Sequence, residues 1–393
     1  MARDSQRITD RLYRPRSRNA AEERNAPPEN RRRQIRSWLI LILLAVGVLV
    51  GVHFLRHDRK EINLARLPCY ANQNVTPFRD GLIYYDGQSL HHLSSSGTIR
   101  WSFPAGSEVS FHAGPTHVAI WYGSQMFLVD QNGKATYNET MEGEVQFVRV
   151  GERYVAAVVG DLTSPKLDIK DLKGGQVDAE ADAYSGLVML DTGFFGDQGQ
   201  YLWTLSLDVY GTAPNYILNT FQVGKMNAGE VSLGKDLTYR VIYENARLRV
   251  FTTQQAYTYD YQCTQDTNAT MLVYGWKVID VEIPERGRAK ILMAPTSQTS
   301  SEQIISELRV LDGDRDMRYT LPTSCVGAGI YGGNIYAASG DYIYRADMNS
   351  QRFFGYQIPE LNGAEITAFY GITSDGKMLL ASGDTMYALT LPT

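Results

Sequence analysis

One uninterrupted apolar stretch near the N-terminus constrains this chain more than any other feature. The 18 residues from Trp38 to Leu55 contain no Asp, Glu, Lys or Arg. As an α-helix they would be roughly 27 Å long, close to the thickness of a bilayer's hydrocarbon core. A buried core helix would carry polar positions, and a cleaved signal peptide would have a shorter apolar run followed by a small-x-small site. The sequence therefore predicts one transmembrane helix of the signal-anchor type at residues 37–56.

The distribution of charge predicts how this helix is oriented. Residues 1–36 hold eleven Arg against five Asp or Glu, whereas the net charge of the whole chain is −5. An excess of Arg beside a membrane helix marks the cytoplasmic side. We expect a basic, disordered cytoplasmic tail, single-pass attachment to the cell membrane, and an extracytoplasmic domain at residues 57–393. Residues 37–393 carry a net charge of about −11, which argues against nucleic acid as the partner of the large domain, since phosphate binding needs a basic surface.

The sequence of the extracytoplasmic part predicts an all-β domain made of repeats. Short runs of Val, Ile, Tyr and Phe alternate with Gly, Asp, Asn and Ser, and no stretch keeps a helical period. Similar hairpin units begin near residues 82, 118, 154, 201, 248, 291, 334 and 377. Their spacing of 36 to 47 residues is typical of four-stranded propeller blades. Eight blades are predicted; seven is the alternative because residues 161–299 are irregular, and a pair of β-sandwiches would also fit the turn spacing.

The two ends of the repeat region predict how the ring closes. The last unit ends after Thr390, one strand short, while Ile62 to Leu67 precede the first complete unit. We expect this early segment to supply the missing outer strand of the last blade, which would leave no open edge.

Motifs for catalysis are weak throughout the domain. Ser232 and Lys235 match S-x-x-K but fall in a Gly-rich link, where a polar turn is the expected structure. No catalytic residue and no cofactor is predicted. The weak metal candidates are Asp312, Asp314 and Asp316, whose spacing resembles a calcium loop but lacks its later Gly and Glu, so a hairpin turn is favoured.

Histidine, cysteine and glycine give further expectations. Residues 61–393 have four histidines, and His91 and His92 should point to opposite faces of one strand, so ordinary packing is favoured over a metal site. Three cysteines allow at most one disulfide. In the membrane helix, Gly47 and Gly51 form a G-x-x-x-G motif that can support a homodimer.

The basic tail, the anchor and the repeats together resemble an uncharacterised family of single-pass, membrane-anchored propeller-like proteins of Gram-positive bacteria. The segment at 201–225, YLWTLSLDVYGTAPNYILNTFQVGK, most resembles that family's central motif. The fold is also similar to eight-bladed quinoprotein-type propellers. Those enzymes use adjacent cysteines and a Trp floor. This sequence has no adjacent cysteines, and Trp101, Trp121, Trp203 and Trp276 do not fall at an equivalent place in every unit. Non-catalytic scaffolds of envelope assembly are the closer analogy.

These observations lead to two hypotheses. The first is a non-catalytic scaffold of the cell envelope that binds another protein or a wall polymer. The second is a ligand sensor or an enzyme, quinoprotein-like or acting on glycans, that uses the central channel of the propeller. A channel lined by convergent carboxylates would favour the second hypothesis.

Overall fold

A computed structural model describes most of the domain and a little of the apolar stretch. The described residues are 38, 40–47, 62–180, 184–225, 227–244, 246–284, 288–298 and 304–392. Residues 38 and 40–47 belong to one compact unit, and all the strands belong to another.

The apolar stretch is described only in part. Residue 38 and residues 40–47 are helical, and their side chains are exposed. None of the described helices is both long and apolar enough to cross a membrane. The rest of the predicted anchor, including Gly51 of the G-x-x-x-G motif, lies outside the described residues, as does the basic tail at 1–36.

The strands form eight four-stranded antiparallel sheets, all described within residues 62–392. The first strand is β1 (Leu64–Tyr70). Blades 1 and 2 contain β2 (Asn74–Phe78), β3 (Gly81–Tyr85), β4 (Ser89–Ser94) and β5 (Ile99–Pro104), then β6 (Ser110–Ala113), β7 (His117–Tyr122), β8 (Gln125–Asp130) and β9 (Ala135–Thr140). Blades 3 and 4 contain β10 (Val145–Val150), β11 (Tyr154–Asp161), β12 (Ser164–Asp171) and β13 (Gln176–Glu180), then β14 (Leu187–Phe195), β15 (Tyr201–Asp208), β16 (Asn215–Gln222) and β17 (Asn227–Gly234).

The remaining blades repeat the same order. Blades 5 and 6 contain β18 (Thr238–Glu244), β19 (Arg247–Thr252), β20 (Gln255–Tyr259) and β21 (Met271–Leu272), then β22 (Trp276–Glu282), β23 (Lys290–Pro295), β24 (Ile305–Asp312) and β25 (Arg315–Cys325). Blades 7 and 8 contain β26 (Gly327–Tyr331), β27 (Asn334–Ser339), β28 (Tyr342–Asp347) and β29 (Phe354–Gln357), then β30 (Ala368–Ile372), β31 (Lys377–Ser382) and β32 (Thr385–Thr390). Three short 3₁₀ helices, at Thr267–Ala269, Thr296–Gln298 and Pro359–Leu361, interrupt the described loops.

Ring closure occurs as the sequence predicts. Strand β1 pairs antiparallel with β32, with Leu64 opposite Leu389, and completes the last sheet in the order β1-β32-β31-β30. The innermost strands of blades 1 and 8, β2 and β30, contact each other, so the blades form one ring rather than two sandwiches. The predicted unit starts fall within one residue of the second strand of every blade, and the ring has eight blades.

The core consists of eight apolar clusters in the described chain, each lying between two neighbouring blades. On β3, Leu82 and Tyr84 pack with Met386 of blade 8, whereas Ile83 packs with Ile120 of blade 2. Both faces of a second strand are therefore buried, which explains why these strands read as continuous apolar runs instead of alternating with polar residues.

The two ends of the ring differ in the loops they carry. We call the end that holds the loops between second and third strands, and the links from each blade to the next, the BC face. The opposite end, with the first-to-second and third-to-fourth loops, is the AB face. Chain entry at Ile62 lies on the AB face, because β1 begins beside the end of β32 at Thr390.

Candidate interaction face

The BC face exposes a group of large apolar side chains over blades 3 to 6. The exposed fraction of each of these residues lies between 41% and 69%. We call them the BC patch, which consists of Leu162, Val209, Tyr210, Leu237, Leu272, Tyr274 and Ile304. At roughly 200 Å² for a fully exposed residue of this size, they present on the order of 800 Å². That area is comparable to what one partner contributes to a standard protein interface.

Backbone hydrogen bonds between loops hold the BC patch in place. Between blades 3 and 4, the amide of Gly186 donates to the carbonyl of Thr163 at 2.9 Å. Further round, Thr253 donates to Leu237 at 3.0 Å, and Thr296 donates to Gly275 at 2.8 Å. These three bonds connect loops and links of the BC face in the described part of the chain.

The segment at 201–225 contributes Tyr210, whose exposed fraction of 69% is the largest in this patch. Its strands β15 and β16 form the central hairpin of blade 4, and the loop between them carries Val209 and Tyr210. The amide of Tyr210 donates to the Asp208 carboxylate at 2.9 Å, which fixes the start of the loop. Nothing in the fold of a blade requires an exposed tyrosine at a loop tip, and an exposed apolar cluster rimmed by polar groups marks an interaction site.

The inner strands use their polar side chains to join neighbouring blades. The Arg149 guanidinium donates to the Asp191 carboxylate at 2.8 Å, between blades 3 and 4. Asp280 accepts the amide of Ile330 in blade 7 at 2.8 Å, and burial raises the pKa of this carboxyl. The two carboxylates lie in different blades, and each is hydrogen-bonded to a group of the neighbouring blade.

The histidines serve packing and hydrogen bonding within and between blades. His91 stacks on Tyr84, whereas His92 lies on the opposite face of β4 between Phe78 and Trp101, as predicted for adjacent strand residues. His112 accepts the amide of Val150 in blade 3 through Nδ1 at 3.2 Å. That bond requires an unprotonated nitrogen.

A cavity of about 380 Å³ opens on the AB face beside His92. Arg79, Asp80, Arg100 and Gln131 line it with the imidazole. Arg100 donates to Asp80 at 2.7 Å, and Arg79 donates to Gln131, so these side chains already have partners. The imidazole is 1% exposed and its nitrogens have no partner in the described chain; burial, aided by the charge of Arg100, lowers its pKa to about 4.

The weak metal candidates lie at a tight hairpin. Asp312 is opposite Arg315 across the turn between β24 and β25, and Gly313 takes a φ of 62°. Each carboxylate faces a different arginine: Asp312 faces Arg315, Asp314 faces Arg288, and Asp316 accepts two bonds from Arg309. In the part of the chain that the structure describes, no group of three His, Cys, Asp or Glu could hold a metal ion.

The structure corrects one expectation and settles a possibility that the sequence left open. Ser232 is not in a turn but on the outer strand β17, where its hydroxyl donates to Asn215 at 2.7 Å. The three cysteines are free and buried, and each lies in a different cluster between blades, which leaves no disulfide among them.

Sequence reasoning missed the buried charged residues of the strands, which include Lys170, Arg309 and, at an unusual position, Arg249. This residue is the third residue of β19, the second strand of blade 5. The same position in the other blades is apolar: Ile83, Ala119, Ala156, Trp203, Leu292, Tyr336 and Leu379. A comparison of the eight second strands would have revealed this single charged residue.

Comparison with known proteins shows the fold and nothing narrower. No family model and no curated protein matches this chain. The crystal structure of BamB from Moraxella catarrhalis has 9% identity and a TM-score of 0.51, over 85% of this chain and 100% of that chain. The WD40 domain of Neurospora crassa Pan2 has 10% identity and a TM-score of 0.46, over 83% and 90%. At such identities the likeness shows that the chain is an eight-bladed β-propeller similar in fold to BamB.

Proposed function

We propose that this protein is a non-catalytic scaffold that binds another protein through the BC patch. The observation that carries the proposal is the set of seven exposed apolar residues on loops of blades 3 to 6. Tyrosine supplies large contact area with a polar tip, which is why it is enriched at protein interfaces. A protein partner fits this surface better than a wall polymer, since the patch offers aliphatic and aromatic side chains rather than rows of polar groups.

Acidic residues around the patch define what its partner should look like. Asp161, Asp208 and Asp236 lie in the same loops or at their ends. Charged groups at the rim of an interface steer the approach of a partner and exclude wrong ones. We therefore infer a partner with an apolar centre and a basic rim.

The cellular setting of the proposal comes from the sequence. The apolar stretch at 38–55 and the Arg-rich residues before it would attach the propeller to the outer side of the cell membrane. The chain enters the ring at the AB face, so the loops of the BC face are uninterrupted by the entering chain. Protease added to intact cells should then digest the propeller but not the tail at 1–36, and digestion of the tail alone would reverse the proposed topology.

Site-specific photo-crosslinking in cells tests the binding face. A photoreactive residue in place of Tyr210 or Leu162 should give discrete high-mass adducts with one partner. Phe354 and Ile99 are exposed to a similar degree, 52% and 51%, at the ends of outer strands near the AB face. The same residue placed there should give no such adduct, and Tyr210→Ser should abolish adducts formed from position 162. Equal adducts from both faces would refute the assignment of the BC patch.

A further inference from the structure

A second cavity lies on the AB face, between blades 5 and 6, away from the BC patch. Its volume is about 380 Å³. Residues of the first-to-second loop of blade 6 and of the third-to-fourth loops of blades 5 and 6 line it, together with four strand residues of blade 5. The lining residues used below are Glu244, Arg247, Arg249, Thr258, Asp266 and Arg288.

Arg249 brings a buried positive charge to this cavity with unused hydrogen-bond donors. The residue is 7% exposed, and its Nη2 donates to Glu244 Oε1 at 2.8 Å. Its Nε and Nη1 have no partner among the described residues. The second oxygen of Glu244, Oε2, accepts the amide of Ala289 at 2.7 Å and no donor of Arg249. Buried donors without acceptors are costly, most of all on a charged group.

Thr258 adds a third unused polar atom beside the guanidinium. It lies directly opposite Arg249 in the pairing of β19 with β20, so the two side chains share one face of the sheet. It is 4% exposed, and its hydroxyl has no partner in the described chain. One hydroxyl and two guanidinium nitrogens without partners therefore belong to residues that line the same cavity.

Two more arginines stand at the mouth of the cavity in weaker pairs. Arg247 bonds Asp266, with about half of the arginine side chain exposed, and Arg288 lies 3.0 Å from Asp314, whose side chain is 94% exposed. Ion pairs this exposed contribute little because water competes for both charges. Either arginine can turn to an incoming anion at small cost, whereas the buried pair of Arg249 with Glu244 stays in place.

We propose that this cavity binds a small molecule through its carboxylate or phosphate group. The oxyanion accepts an N–H bond from Arg249, at the guanidinium edge that carries Nε or at the edge that carries Nη1, and an O–H bond from Thr258, while Arg288 closes over it from the mouth. The volume lies within the range of small-molecule pockets, so the ligand is larger than a bare ion. Arginine suits this role because its planar donors match carboxylate and phosphate oxygens.

Thermal unfolding of the full chain in detergent tests this site, with inorganic phosphate and succinate as separate probes. Sodium chloride at the same ionic strength is the reference for general salt effects. We expect one of the two anions to raise the unfolding temperature saturably above the chloride reference. A response to phosphate alone or to succinate alone identifies which oxyanion the natural ligand carries.

Two variants locate the binding. Thr258→Val removes only the unpartnered hydroxyl, so it should leave unfolding without ligand unchanged and weaken anion binding about tenfold. Arg249→Lys keeps the charge beside Glu244 but loses the forked donors, and should weaken binding at least tenfold. Thr76→Val, on the inner strand of blade 1, is the matched control and should bind as the wild type does. No anion effect beyond chloride, or one that Thr258→Val leaves intact, would overturn the proposal and leave the cavity to water.

Discussion

Mild acid should destabilise this propeller through two histidines that lie between blades. His92 is buried between Phe78 and Trp101, and His112 accepts the amide of Val150 across the joint of blades 2 and 3. Burial lowers the pKa of each imidazole from 6.5 to about 4, with a smaller contribution from Arg100 at His92 and from Arg149 at His112. Protonation of His112 would also remove the acceptor that Val150 uses.

The size of the effect follows from linkage between protonation and folding. Between pH 6.5 and about 4 the unfolded chain binds more protons than the folded chain, so the free energy of unfolding falls as the pH falls through this window. With these pKa values, each histidine removes about 2 kcal/mol between pH 7 and pH 5, and both together remove about 4 kcal/mol. Domains are stable by about 5–15 kcal/mol in total, so the loss would be easy to measure.

Urea unfolding at pH 7, 6 and 5 measures this dependence, and most carboxyl groups contribute little above pH 5. His112→Asn keeps a side-chain acceptor for the amide of Val150 but does not titrate, and His92→Leu fills a similar volume without a titrating group. Each variant should lose about 2 kcal/mol less than the wild type between pH 7 and pH 5. If the wild type and both variants gave parallel curves, the reasoning from buried neutral histidine would be refuted.

Three other predictions follow from the packing of the ring. A chain that begins at residue 71 lacks β1 and so exposes β32 and the partners of Leu67; it should aggregate in size-exclusion chromatography, whereas a chain that begins at residue 62 should run as a monomer. Gly229→Ala would place its Cβ 2.3 Å from the backbone of Gln262 and should cost about 2 kcal/mol or more in urea unfolding, while Gly211→Ala, with 3.4 Å to its nearest neighbour, should change stability by less than about 0.5 kcal/mol. Burial raises the pKa of every cysteine thiol, to about 11 or 12. Iodoacetamide at pH 8 should therefore label the domain only once it has been denatured, as read by mass spectrometry. Labelling of the folded chain would contradict the burial of Cys69, Cys263 and Cys325.

The blade pattern was predictable because the second strand of each blade is buried on both faces. Such strands read as continuous apolar runs, and Gly or Asp turns follow them at a regular distance, so the unit starts could be placed within one residue. The closing strand was predictable for a related reason, since a ring leaves no unpaired edge and β32 had no other neighbour to pair with. The choice between eight and seven blades stayed open because blades 3 to 6 have long or irregular loops.

The two proposed binding sites could not be predicted from the sequence. The contact of Arg249 with Glu244 joins two strands of one blade, but the value of its unpaired donors depends on the loops of blade 6 that wall the cavity. The exposure of Tyr210 depends on which end of the ring its loop occupies, and a tyrosine in a β-rich chain is more often half-buried on a strand. The anchor at 37–56, the homodimer through Gly47 and Gly51, and the Gram-positive family resemblance stay predictions, since no described residue and no family model tests them.

The irregularity of the middle blades is itself informative about function. A propeller needs only short, evenly spaced strands, and blades 1, 2, 7 and 8 come close to that minimum. Blades 3 to 6 depart from it at both ends of the ring: their BC ends carry the seven residues of the BC patch, compared with Tyr122 in blade 2 and Tyr70 in blade 8 elsewhere on that face, and blade 5 places a charged arginine where every other blade has an apolar residue. Neither departure is needed for the packing of a blade. Sequences that break local rules without a structural gain do so chiefly at functional sites, so the same four blades are where a partner and a ligand should both be sought.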